Sequence, residues 1–229
     1  MHYFQMTLPA TLTGLAVVLF VGLLRLQWPF RYYYRTLLCK RNPERMQMIL
    51  EASYPKNKKR SVALLDKSSQ QLLQGKYDAA ESYITQAIIL CKESPTLFHR
   101  ALLQHLFYNL AVACYSRGRY RDALQIGIHL YKRDPRMHCA LGVIICCQAR
   151  MGDLPGAKHA LSLLQRRRIR PALHYFCLAE IEAAAGRYTH AVEHIEKIRN
   201  YAYSQTLYLR KEELDLRLQE WTKAASHAG

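Results

Sequence analysis

The first 24 residues contain no Asp, Glu, Lys or Arg, and the chain of 229 residues has only 17 acidic side chains against 33 Lys and Arg. Glycine (10) and proline (8) are sparse and sit at punctuation points, which argues against a disordered chain and for a packed, largely helical one. No two of the seven cysteines have C-x-x-C spacing, which argues against a thiolate metal cage or dithiol redox motif. An odd number of thiols at apolar positions suits a reducing compartment. There is no G-x-x-x-x-G-K-[ST], no G-x-G-x-x-G and no G-x-S-x-G, so the motifs that cradle phosphates or raise a nucleophilic serine are missing.

The excess positive charge is uneven. Half of the net +16 falls between Arg25 and Arg60, where ten Lys/Arg face two Asp/Glu. A partner for that charge is expected beside this segment. The uncharged run before it has Leu12–Leu24, LTGLAVVLFVGLL, as its core. A helix over all 24 residues would be about 36 Å long against a hydrocarbon thickness of ~30 Å, which predicts a membrane anchor over residues 1–30. Trp28, Tyr32, Tyr33 and Tyr34 would form an aromatic belt. No cation precedes the span and many follow it, so a single-pass protein with its C-terminal bulk in the cytoplasm is expected. Residues 31–60 read as a basic juxtamembrane segment holding a short helix, Asn42-capped and running from Pro43 to Ala52, then a basic linker, Tyr54–Arg60.

The rest of the chain is organised by six residues that occur four times: GKYDAA from Gly75, GRYRDA from Gly118, GDLPGA from Gly152 and GRYTHA from Gly186. Each copy has Gly first and Ala sixth, and three have Tyr third. The steps between glycines are 43, 34 and 34 residues. Such a period marks stacked helix–turn–helix units. The nine extra residues of the first step fit in longer helices, about two and a half turns at ~3.6 residues per turn. Ser61, Ser94-Pro95 and Asp134-Pro135 read as helix starts, as does Asp153. A final helix is expected over Ser204–Ala225.

These residues resemble the tetratricopeptide repeat. With the glycine as position 15, Ala80, Ala123, Ala157 and Ala191 fill the small position 20, and Tyr77, Tyr120, Leu154 and Tyr188 fill the aromatic position 17. Position 8 is Ser68, Ala111, Ile145 and Ala179, with Ile145 departing from the pattern. The resemblance covers about Ser61 to Arg199. It implies an α-solenoid of about four units over 61–200 with a capping helix within 201–229, so that, with the N-terminal transmembrane helix expected from the apolar run, the whole protein reads as all-α. It also implies a concave groove lined by the first helix of each pair, with Leu65, Ser69, Leu72, His105, Tyr108, Val112, Tyr115, Cys146, Phe176 and Glu180 as candidate partner-binding residues. The basic clamp that some members use for acidic C-termini is absent, so a helix or apolar peptide is the expected protein partner. The alternative is that the final helix folds back and fills the groove itself.

Two motifs point elsewhere. His190, Glu193 and His194 spell H-x-x-E-H, a metalloprotease pattern, but it lies inside the fourth unit around the packing residue Ala191 and has no evident third ligand. The run RRRIR from Arg166 could hold phosphate, yet it sits at a helix C-terminus, where arginine complements the dipole. The reading is a membrane-anchored, non-catalytic scaffold with no cofactor, metal or small-molecule substrate. The alternative is a basic helical-repeat protein that binds nucleic acid.

Overall fold

The computed structural model describes residues 8–27, 30–39, 42–93, 96–166, 171–199 and 209–228. Every regular element among them is helical. In order these are α1 (Leu8–Gln27), α2 (Arg31–Leu38), α3 (Pro43–Lys56), α4 (Arg60–Leu73), α5 (Tyr77–Glu93), α6 (Leu97–Ser116), α7 (Tyr120–Arg133), α8 (His138–Arg150), α9 (Leu154–Gln165), α10 (Pro171–Ala184), α11 (Tyr188–Arg199) and α12 (Lys211–Ala228). The four repeated hexapeptides join α4 to α5, α6 to α7, α8 to α9 and α10 to α11, and the two helices of each pair pack on each other and on the next pair.

The turns explain the glycines. Gly75, Gly118, Gly152 and Gly186 have φ between 71° and 80°, a region that a Cβ makes costly. In each turn the glycine N–H bonds three residues back and the next N–H bonds five back, as in Gly75 N to Leu72 O (3.0 Å) and Lys76 N to Gln71 O (2.9 Å). The last carbonyls of the first helix are thereby satisfied and the chain reverses. Five residues on, Ala80, Ala123, Ala157 and Ala191 are all fully buried. Their small size lets the paired helices approach closely. The position-8 residues Ser68, Ala111, Ile145 and Ala179 are fully buried as well, so Ile145 is accommodated. The long first step is absorbed by α5 (17 residues) and α6 (20 residues), against 12 to 14 in the later helices of the array.

Several boundaries differ from expectation. The helix α3 does not stop at Ala52 but runs through Pro55 to Lys56. Proline lacks one donor, yet the Asn57 N–H closes the last turn on Ser53 O at 2.8 Å. The expected linker is thus reduced to residues 57–59. The helix α3 packs along α4, and α2 along α3, so the basic segment joins the stack. Ser61 is buried in the first turn of α4 instead of capping it. Asp134 does not start a helix: its Oδ1 accepts from the Arg136 N–H at 3.0 Å in a turn, and α8 begins at His138. Asp153 does cap α9, accepting from the Gly156 N–H at 3.0 Å. Ser94 and Pro95, expected to open α6, and the start of the last helix near Ser204 lie outside the described residues. Leu209 and Arg210 are non-helical and α12 begins at Lys211.

Among the described residues, no helix is long and apolar enough to cross a membrane. The transmembrane expectation therefore finds no support in the described helix. Among the described residues, no helix makes more than marginal contact with α1, and residues 11–22 are all exposed, with Val18 at 68% and Phe20 at 63%. Of the expected aromatic belt, Tyr32 is buried, while Trp28 and the side chains of Tyr33 and Tyr34 lie outside the described residues.

Candidate binding groove

The first helices α4, α6, α8 and α10 present the expected groove positions, and most of them are covered. Leu65, Leu72, Tyr108, Val112, Tyr115, Cys146, Phe176 and Glu180 are buried, Ser69 is half-buried, and His105 is exposed. Leu72, Tyr108, Val112, Tyr115, Cys146 and Phe176 share one apolar cluster, which Leu209, Leu214 and Trp221 join from the C-terminal segment. Leu65 belongs to a second cluster with Val62, Ile84 and Leu106, against which Phe30 and Tyr54 pack. The groove is thus not an open apolar surface. Its N-terminal end is closed by α2 and α3, and the rest is crossed by α12.

The α12 contacts are specific. Its Arg217 pairs with Glu180 of α10, donates to the Tyr115 hydroxyl at 3.2 Å, and lies 4.9 Å from the Phe176 ring centroid. Arg150 of α8 reaches the same carboxylate at 2.6 Å, and the Tyr115 O–H donates to it at 3.1 Å. Glu180 is 1% exposed, so two guanidinium groups and a phenol stand in for the water it has lost; a buried charge is tolerable only when so paired. Burial also pushes the Tyr115 phenol up, so it stays a neutral donor. At the other end of the strap, Tyr77 bonds Glu213, and Arg210 lies over the Tyr77 ring at 5.9 Å. The helix therefore touches the first, second and fourth units and also packs on α11.

Arg217 and Arg150 are absent from the expected groove set. Arg217 sits in KEELDLRLQE, which reads as a polar outer face. The signal available is Leu214, Leu218 and Trp221, an apolar i, i+4, i+7 stripe on the same helix.

Other candidate chemistry is not assembled. His190 is exposed, with Nδ1 3.9 Å from Glu182, while His194 is half-buried and stacked on Tyr175 at 6.0 Å. Burial lowers the His194 pKa. Among the described residues, no three His, Cys, Asp or Glu converge as metal ligands. Burial pushes the Cys147 thiol up to about 12, and Cys146, beside Cys177, is also raised. These thiols behave as small apolar side chains. Of RRRIR, Arg166 is exposed and residues 167–170 lie outside the described residues.

Helix pairs that turn on a positive-φ glycine and nest on a buried alanine define a helical-repeat array, and the chain has the tetratricopeptide-repeat fold. No protein-family model matches it, and no curated protein matches it. Among solved structures it is similar to a thermophilic tetratricopeptide-repeat protein from Thermus thermophilus, with 18% identity, a TM-score of 0.52, and coverage of 86% of this chain and 98% of that one. At that identity the likeness concerns the fold.

Proposed function

We propose that this chain is a protein-binding scaffold without chemistry of its own, attached through α1 to a membrane, with its repeat array in the cytoplasm. The observation that carries the scaffold reading is α12 itself. A helix lies across the groove, with apolar residues in the cluster and one arginine in the Glu180 pocket. A partner helix with the same features, an apolar stripe and a cation near its middle, would compete for that place. Leu72, Tyr108, Val112, Tyr115, Cys146, Phe176 and Glu180 would receive it, while Leu65 stays covered at the end that α2 and α3 close.

The attachment reading is supported by the exposed apolar residues of α1, which no other described helix covers. The uncharged run of the sequence continues back through residues 1–7, outside the described helix, giving the length that α1 alone lacks. The cations after the run favour a cytoplasmic array.

A labelled peptide of residues 209–228 tests the groove. It is expected to bind the full chain carrying Arg217→Ala and Trp221→Ala more tightly than the intact chain, because the resident helix competes less. Equal or absent binding to both would remove the groove from the account. Alkaline extraction of membranes tests the attachment: release of the intact chain into the supernatant would overturn it.

A further inference from the structure

Several arginines of the array and its capping helix have carboxylate partners. Arg117 reaches Asp78 and Glu81, Arg119 reaches Glu81, Arg150 and Arg217 reach Glu180, and Arg187 reaches Glu182. The cations at the α3–α4 corner do not. Among the described residues, Lys56, Lys58, Lys59 and Arg60 make no ion pair, and all four are exposed. The carboxylates of α3 itself, Glu44 and Glu51, are exposed and are not within 4.0 Å of these cations. Four positive charges in five residues repel one another at short range, a cost that screening reduces but does not remove.

The corner is also ordered. The Arg60 guanidinium lies 4.2 Å from the Tyr54 ring centroid and bonds its hydroxyl. Lys59 Nζ stands 5.3 Å from the Phe98 ring, and Phe98 packs on Phe30 at 5.2 Å. Arg31 Nη2 donates to Lys56 O at 3.5 Å. Phe30 and Arg31 follow the end of α1 at Gln27 by three and four residues. Three residues span at most about 11 Å, so residues some thirty positions later in sequence are brought back to the foot of the exposed apolar helix.

We propose that this corner binds anionic lipid: Lys56, Lys58, Lys59 and Arg60 hold the phosphate-bearing headgroups of the leaflet that α1 enters. The chemistry is charge complementarity between a carboxylate-free cationic cluster and a negative surface, effective within about a Debye length, ~8 Å at physiological salt. The proposal rests on the membrane reading given above, and its test separates the two.

The test is flotation of the full chain with vesicles of phosphatidylcholine alone, or phosphatidylcholine mixed with phosphatidylglycerol, at low and high salt. The intact chain is expected to float with both. Val18→Asp with Phe20→Asp, on exposed positions of α1, is expected to abolish flotation with neutral vesicles and leave salt-sensitive flotation with anionic ones. Adding Lys56→Gln, Lys58→Gln and Lys59→Gln to that chain should weaken the remaining binding by about tenfold or more. These side chains are exposed, and an unchanged circular-dichroism melt checks the fold; Lys58→Glu alone serves as the milder variant, with a smaller loss expected. If the lysine changes leave anionic binding intact, the proposal falls. It also falls if the chain prefers polyuridylate to anionic vesicles at equal salt, which would favour nucleic acid. If the intact chain ignores neutral vesicles yet still binds anionic ones, the attachment reading fails and the lipid surface stands.

Discussion

Two buried carboxylates, one at each end of the array, sit in opposite surroundings. Glu180 is held by Arg150, Arg217 and Tyr115. Asp66, on α4, is 1% exposed and bonds only to Ser53 of α3 among the interactions described. Burial consequently holds the Asp66 carboxyl at about 7, well above its usual range, against the pull of the Ser53 hydroxyl. At the C-terminal end the chain pairs its buried carboxylate from within and fills its own groove. At the N-terminal end it leaves cations and an apolar helix facing outward. The difference says where an external partner has something to gain: at the first end it meets unsatisfied groups, and at the other it must displace a helix.

The largest expected effect lies at Asp66. Between pH 4 and 7 the folded chain keeps this proton and the unfolded chain has lost it, so stability falls as pH rises through that window and levels off above it. The full shift corresponds to about 4 kcal/mol in the limit. Asp66→Asn should flatten the profile and raise the urea midpoint at pH 8; an unchanged midpoint would mean that water reaches the carboxylate. Glu180→Gln removes the anion from between two arginines and should cost about 3 kcal/mol, read in the same denaturation experiment and accompanied by loosening of α12. Arg217→Met in that background should recover part of the loss. Replacing Ala123 with Leu overpacks the helix contact, at a typical cost of ~1–3 kcal/mol. Gly118→Ala, which forces a Cβ onto a φ of 76°, should be the mildest, at about 1 kcal/mol. A larger loss at Gly118 than at Glu180 would reverse the ranking of turn and strap.

The array is legible in the sequence because its determinants are local. A glycine that must take positive φ and an alanine five residues on are read from one hexapeptide, and four copies fix the frame. The groove is legible as a set of positions but not as a surface. Glu180 and Arg217 are 37 residues apart with no spacing rule to join them, and Arg217 has acidic neighbours along its own helix that read equally well as its partners. The α3–α4 junction escapes the sequence for a different reason. Pro55 and a lysine-rich run signal a break, while the contact that continues the helix, Asn57 to Ser53, is an ordinary backbone bond that any sequence could make. The unsatisfied corner follows from that same junction, so it is invisible until the helix is seen to reach Lys56.

Arg210 packs so closely on the first turn that a methyl group at Gly75 would collide with its guanidinium. The tail of the superhelix is therefore clasped to its head. An open stack of repeats can fray from either end and can grow by adding units. A clasped one is expected to melt as a single body.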